Sequence, residues 1–241
     1  MYSKPIISVI TICYNNIAGL QKSVESVRTQ EIDLEKIEHI IIDGNSNDGT
    51  KEYLKTLKIN GFYVCENDSG IFDAMNKGIK LSKGKYLHFL NSGDIYYNKN
   101  CLKNLAKLCE EKNGIISGVS LFSIDQKYFY EINFKPYYNH QSVLIPRELN
   151  LTNLYDTDLK ILGDLEFWIR IKKKGYNNFI QTDLKFVKMI LDGVGSSPKT
   201  RLLRIKDKVT IIKKHPSAIR EYISLIKQTL ILIYEKLIRL Y

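Results

Sequence analysis

The 241-residue sequence predicts an α/β fold, a mainly parallel central sheet flanked by helices, and three observations support it. Strand-length apolar runs alternate four times with helix-period segments in the first hundred residues. The first run, Ile6–Ile12, is rich in β-branched residues, which suits a strand buried on both faces. Polar clusters containing Gly, Asn and Asp punctuate the run ends, as strand-to-helix turns require.

The elements follow in order. Asn15 and Asn16 cap a helix whose Leu20, Val24 and Val27 have helical spacing. The strand Ile37–Ile42 stops at Asp43-Gly44-Asn45-Ser46-Asn47-Asp48-Gly49-Thr50, before a helix carrying Tyr53, Leu54 and Leu57. Phe62–Cys65 is a short strand, Ile71–Leu81 a helix, Tyr86–Leu90 a strand and Leu102–Glu111 a helix. Ile115–Phe122 and Lys127–Ile132 then read as antiparallel strands around a turn at Asp125-Gln126, completing the sheet and building a second pocket. A helix over Leu165–Lys174 is preceded by Gly163-Asp164 and ended by Gly175. Pro198 and Pro216 bracket a basic amphipathic stretch, and Ser217 caps a last helix striped by Ile219, Ile223, Ile226, Leu230, Ile233 and Leu237. The predicted organisation is one domain over residues 1–195, in halves 1–97 and 98–195, with a basic helical tail over 196–241.

Composition narrows the function classes. Hydrophobic and charged fractions of 44% and 26% are those of a globular chain and argue against disorder. Cys13, Cys65, Cys101 and Cys109 have neither CxxC pairing nor matched His spacing, which disfavours zinc and fits a reducing, cytoplasmic setting. The opening residues lack a basic-then-apolar leader, and no apolar run is long enough to span a bilayer. The net charge of +10 is concentrated from Ser196 onward, where eleven Lys and Arg face only Asp207, Glu221 and Glu235. Such a tail fits an anionic partner.

Asp43, Asp48, Asp68, Asp73 and Asp94 all fall at predicted strand ends or helix starts. In a parallel sheet those ends share one edge, so these carboxylates converge and repel unless a cation neutralises them. Mg²⁺ or Mn²⁺ holding a diphosphate answers that need with hard oxygen ligands. Asp94, on a Gly turn just past a buried strand, is the first candidate for metal work. Plain structural readings stand beside these: Asp48 as a helix cap, Asp43 and Asn91-Ser92-Gly93-Asp94 as turns, and Trp168 as core.

Four stretches, in order, resemble the motifs of family-two glycosyltransferases with the GT-A (Rossmann-like) fold. They are Ser8-Val9-Ile10-Thr11-Ile12-Cys13-Tyr14-Asn15, Ile41 to Thr50, Gly70-Ile71-Phe72-Asp73-Ala74-Met75-Asn76-Lys77-Gly78, and Leu90-Asn91-Ser92-Gly93-Asp94. A weaker similarity continues through His140-Gln141 and Gly163-Asp164-Leu165-Glu166-Phe167-Trp168. The resemblance implies transfer of a sugar, with inversion, from a nucleotide-sugar donor to an acceptor hydroxyl. It places Thr11 and Tyr14 at the nucleotide, Asp43 at the base or ribose, Asp73 and Asn76 beside the donor, and Asn91, Ser92 and Gly93 in the donor loop. It makes Asp94 the metal ligand at the last position of the DxD motif, whose upstream aspartate this chain lacks. Asp164 matches the catalytic base, with an N-cap as its structural alternative, and Glu166 is the fallback. His140 and Gln141 fall on the acceptor side, where His140 could instead be a ligand or a core histidine.

The same resemblance implies a divalent metal, Mn²⁺ or Mg²⁺, a UDP-sugar as the favoured donor, and a glycan or lipid-linked acceptor in cell-surface polysaccharide synthesis. The tail then has three candidate partners: an anionic membrane on the cytoplasmic face, the chain's own domain, or a second copy in a homodimer. Other classes fit less well. A dinucleotide oxidoreductase would need GxGxxG where Asn15-Asn16 stands. A sugar nucleotidyltransferase would need a Gly-rich, Arg-containing loop after the first strand. A nucleic-acid-binding module suits the basic pI of 9.2, but acidic loops at the sheet edge would repel a phosphate backbone, so no nucleic acid is expected.

Overall fold

The computed structural model describes residues 4–123, 129–132, 140–190 and 200–218. Four parallel strands form one half of the sheet: β1 (Ile7–Cys13), β2 (Ile37–Asp43), β3 (Gly61–Cys65) and β4 (Tyr86–Phe89). The crossovers joining them carry α1 (Ile17–Arg28), α2 (Thr50–Thr56) and α3 (Ile71–Leu81), since parallel neighbours cannot be joined by a tight turn. Beyond these lie β5 (Ile95–Tyr96), α4 (Cys101–Glu111), β6 (Ile115–Ser123), β7 (Tyr130–Ile132), β8 (Val143–Pro146), α5 (Arg147–Leu151), α6 (Gly163–Lys173), β9 (Phe179–Ile190) and α7 (Arg201–Lys214). The strand order is β3-β2-β1-β4-β8-β6-β9-β5, with β7 antiparallel on β6.

Side-chain alternation along β1 builds the core on both faces. Ile10 and Ile12 join Met75, Phe89, Phe167 and Trp168 on one face, while Ile7 and Val9 join Tyr86, Leu102, Leu105 and Phe186 on the other. Trp168 is 1% exposed and packs on Phe167 with ring centroids 4.9 Å apart, so it is core.

The first half matches the sequence prediction, including Asn16, whose side chain caps α1 by accepting from Gly19 N–H. The second half, with β5 at the very end of the first, departs from it. β5, β8, β9 and α5 were not anticipated. In β9 the polar Gln181, Thr182, Asp183, Lys185 and Lys188 mask the strand pattern, yet successive Phe186 and Val187 are both fully buried in one core cluster, where a β-bulge against β6 falls at Phe186. α6 begins at Gly163, two residues earlier than predicted, which brings Asp164 inside the helix. The predicted turn at Asp125-Gln126, Pro198 and the striped helix from Ile219 lie outside the described residues; Pro216–Ala218 forms a 3-10 turn. The basic stretch becomes α7, which docks on the domain through buried Asp207 and Ile211 and through Lys214, 2.5 Å from Asp156.

Two strand histidines are sealed in this sheet. His39 on β2 pairs with the Thr11 hydroxyl at 2.9 Å. His88 on β4 lies between the Tyr96 hydroxyl (2.8 Å) and the Gln141 carbonyl (2.9 Å). A carbonyl only accepts, so His88 carries its proton on Nε2 and accepts from Tyr96 at Nδ1. Burial pushes both rings down from 6.5 to about 4. Below pH 6.5 the unfolded chain takes up protons that these native rings refuse, so their contribution is present above that pH and is lost on the way to about 4. The loss amounts to about 3 kcal/mol per ring. Urea unfolding at stepped pH is expected to show stability falling through this window, and a flat profile from pH 6.5 to 4.5 would contradict the assignment of both rings as buried and neutral.

Candidate functional site

The carboxyl ends of β1 to β4 meet at one edge, where three layers of residues gather. The outermost holds Tyr14, 67% exposed just past β1, against the glycine turn after β2. A Cβ at Gly44 would stand 2.4 Å from the Asp68 carboxylate and 3.2 Å from the Tyr14 ring, so these three close one wall. Asp68, half-buried, is pushed up mainly by desolvation. Asp43 beneath them is fully buried; it accepts from the Ser46 hydroxyl (2.5 Å), Ser46 N–H (3.1 Å) and the Cys65 thiol (2.8 Å). Burial first, and then the bond to Asp43, pushes the Cys65 thiol up to about 12.

Several other acidic and amide groups at this edge are committed to the scaffold. Asp48 accepts from Ile17 N–H, Thr50 N–H and the Thr50 hydroxyl, joining the starts of α1 and α2 as a cap would. Asp73 accepts from Ser69 N–H at 3.0 Å and lies 3.8 Å from Lys77. Asn76 is buried and spends both amide atoms on the Tyr155 backbone. Thr11 is fully buried against His39.

The middle layer is the Asn91-Ser92-Gly93-Asp94 turn. Gly93 takes φ 104°, where a side chain would be strained. Ser23 on α1, fully buried, accepts from Gly93 N–H at 2.9 Å and donates to the Asp94 carbonyl at 2.8 Å. Ser92 donates to Asn16 O and Asn16 returns a bond to Ser92 O, so α1 holds the turn at several points.

The third layer joins the two halves of the chain. His140 and Gln141 lie in a 3-10 turn that the His88 bond fixes beside the end of β4. Gln141 donates to the Asp94 carboxylate at 3.2 Å. The Asn91 amide donates to His140 Nε2 at 3.0 Å, which leaves the ring proton on Nδ1, facing Asp164 Oδ2 at 3.5 Å. Asp164 lies in the first turn of α6, where the helix N-terminus attracts negative charge, and its own Oδ1 accepts from Leu165 N–H. The N-cap is Leu162, so Asp164 is not the cap. Glu166, nearly fully buried, is engaged by Arg170 (2.9 Å) and His215 (2.9 Å).

The fold brings together Asp94, Asn91, His140, Gln141 and Asp164, which the sequence had singled out from separate segments, and adds Ser23, His88 and Asp207, which it had not. The last two had a signal: His88 interrupts an apolar strand, and Asp207 is the one acid in the basic run Arg201–Lys214. Among the described residues no group of three or more His, Cys, Asp or Glu forms a cage for a metal. The oxygen donors at hand are Asp94, 6% exposed, and the buried Asn91 Oδ1, which has no partner. That set fits a hard divalent ion held largely by a ligand's phosphates.

Comparison with known proteins gives this geometry a setting. Residues 8–165 match the family model of glycosyl transferase family 2. An uncharacterized glycosyltransferase of Mycobacterium tuberculosis, Rv1514c, is 38% identical over 127 residues, 52% of this chain and 48% of that one. TuaG of Bacillus subtilis, described as a candidate teichuronic acid biosynthesis glycosyltransferase, is 28% identical over 73% of this chain and 75% of its own. Among solved structures, Staphylococcus aureus TarS 1–349 with UDP-GlcNAc superposes with TM-score 0.67 at 19% identity, covering 80% of this chain and 60% of that one. PcManGT, a mannosyltransferase from Pyrobaculum calidifontis with GDP-Man and Mn²⁺, gives 0.67 at 18% identity, covering 90% and 65%. The chain thus spans about half the length of the mycobacterial relative, and the solved structures speak for the fold.

One close approach sets where Asp164 sits. A Cβ at Gly163 would come within 2.7 Å of the Phe72 ring, which is buried at the start of α3. Gly163→Ala is expected to cost about 1–3 kcal/mol through overpacking. Equilibrium urea unfolding measures it, and unchanged stability would show that the ring yields freely.

Proposed function

The chain belongs to glycosyl transferase family 2, and on that premise we propose that it transfers a sugar, with inversion, from a nucleotide-sugar donor to a glycan or lipid-linked hydroxyl, Asp164 acting as the base. The observation that carries the reading is the chain of contacts from Asn91 through His140 to Asp164, beside the Gln141–Asp94 bond. It sets a carboxylate from the second half of the chain against the loop of the first half expected to meet the donor diphosphate.

In the proposed reaction Asp164 accepts the proton of the acceptor hydroxyl as its oxygen forms a bond to the anomeric carbon. The bond from that carbon to the diphosphate breaks, and the electron pair leaves with the nucleoside diphosphate. A divalent metal, when bound, supplies positive charge to the diphosphate, with Asp94 as its protein ligand and Asn91 Oδ1 as a second oxygen within the same turn. Tyr14, Gly44 and Asp68 form the wall best suited to the nucleobase, with Asp43 supporting the turn from below. Asp73 and Asn76 serve the donor side by ordering the Ser69 and Tyr155 backbones. Glu166 is the weaker candidate for the base because its carboxylate is already committed to Arg170 and His215. A UDP-sugar is the favoured donor, a choice supported by the UDP-GlcNAc held by TarS, and surface-polysaccharide synthesis is supported by the likeness to TuaG.

Thermal shift of the purified chain against UDP, GDP, TDP and CMP and their sugar conjugates, with and without Mn²⁺, tests the donor class. One nucleotide is expected to stabilise the wild type in a Mn²⁺-dependent way, and Asp94→Ala is expected to lose that shift. Asp164→Asn should keep it while transfer falls by about 10²- to 10⁴-fold. Near-normal turnover of Asp164→Asn would reject this base.

We further propose that α7 faces an anionic membrane. Leu202, Ile205 and Val209 stand on one side of the helix at 72%, 50% and 47% exposure, among the exposed Arg201, Lys206, Lys208 and Lys213. No described helix is long and apolar enough to cross a bilayer, so the reading is of a helix lying on the surface. Co-flotation with phosphatidylglycerol vesicles that weakens in salt, and is lost in a triple Ser variant of those three residues, is the expected outcome. Equal flotation with neutral phosphatidylcholine vesicles would count against it.

A further inference from the structure

We infer that Asp207 on α7 is a positioning residue for the Asp164 carboxylate, an inference that rests on reading Asp164 as the base. Three successive backbone amides converge on Asp207. Its Oδ2 accepts from Lys160 N–H (3.0 Å), Ile161 N–H (2.6 Å) and Leu162 N–H (2.9 Å), and its Oδ1 lies 3.2 Å from Lys160 N. Asp207 is 4% exposed. A carboxylate so buried is costly unless charge-assisted bonds replace its water, and here three donors of one short segment do so.

The segment that Asp207 grips leads straight into the base. Residues 160–162 run into α6, whose N-cap, Leu162, has no side chain able to cap it. Asp207 supplies from another element the anchoring that local sequence omits. α7 holds the same helix a second time, through His215 just past its end, whose Nε2 lies 2.9 Å from Glu166 Oε1. The two grips fall at Leu162 and Glu166, on either side of Asp164, while His140 faces Asp164 itself. Helix entry at Asp164 is thus fixed from both flanks, with His140 and Leu165 N–H against its carboxylate, which is what a base needs if its oxygen is to meet a hydroxyl proton at hydrogen-bond distance. α7 is on this account part of the transfer machinery, and its position in the chain, after the matched residues 8–165, gives no hint of that.

The test uses the full chain with Asp207→Asn, which keeps the shape and one acceptor oxygen, and Asp207→Ala, with Asp164→Asn alongside. Three quantities are read at a common temperature below every melting point: amide exchange of residues 160–165, affinity for UDP with Mn²⁺, and nucleoside diphosphate release from a panel of UDP-GlcNAc, UDP-glucose, UDP-galactose and GDP-mannose. Asp207→Asn is expected to speed exchange in 160–165 alone, to leave UDP affinity within about twofold, and to lower turnover by about 10- to 100-fold. Asp207→Ala should be worse in turnover and exchange. Wild-type turnover in a folded Asp207→Asn chain, or unchanged exchange in 160–165, overturns the proposal while leaving an inert Asp164→Asn, and so the base, intact. A loss of turnover matched by an equal loss of UDP affinity also overturns it, since the defect would then be general. If Asp164→Asn itself turns over normally, the base reading fails, and any effect of Asp207→Asn cannot run through Asp164.

Discussion

The pairing of β4 with β8 is the joint on which the site depends. It is antiparallel, Tyr86 opposite Pro146 and His88 opposite Leu144, and it is where the parallel half of the sheet meets the mixed half. That register delivers the His140–Ser142 turn, which enters β8, to the open end of β4 and its Asn91–Asp94 loop. The buried His88 then fixes the meeting with one bond to the Gln141 carbonyl. A buried, neutral imidazole suits this work because it offers a donor and an acceptor in fixed directions without a charge to solvate.

Around that joint the polar groups divide into those that tie up the scaffold and those that meet across the joint. Asp43, Asp48 and Asn76 give their hydrogen-bonding capacity to neighbouring loops, and Glu166 gives its own to Arg170 and His215. Asp94 is held instead by Gln141 of the second half, and Asp164 faces His140, which Asn91 of the first half holds in turn. Such preorganisation is what electrostatic catalysis requires, since groups already oriented need no reordering as charge moves. The carboxylates of the acidic edge noted in the sequence keep their charge but are solvated locally by backbone N–H groups in place of water.

α7 extends the same logic. Its inward side, with Asp207 and Ile211, belongs to the core and to the approach to α6, whereas its outward side keeps Leu202, Ile205 and Val209 in solvent. One helix thus has two apolar or polar agendas at positions three and four apart, which the 3.6-residue repeat allows. A tail boundary at residue 196 describes the charge distribution well, but the packing of Arg201–Lys214 continues the domain.

The sequence by itself determined β1 to β4 and α1 to α3, the α1 cap at Asn16, and the gathering of acidic turns at one edge. Those are local or periodic properties: β-branched runs, a 3.6-residue repeat, and a topology that sends every parallel strand's carboxyl end the same way. The motif resemblance also singled out Asn91, Asp94, His140, Gln141 and Asp164, residues that the fold brings close together. Tertiary structure alone decided the use of each carboxylate. Asp43 ends β2 and Asp94 lies in the turn after β4, and nothing nearby in sequence says that one turns inward to Ser46 and Cys65 while the other meets Gln141. β9 escaped because its polar residues break the alternation, and Asp207 because its partners lie more than forty residues away. A hydrogen bond's direction depends on where both partners end up in space, and only the folded chain fixes that.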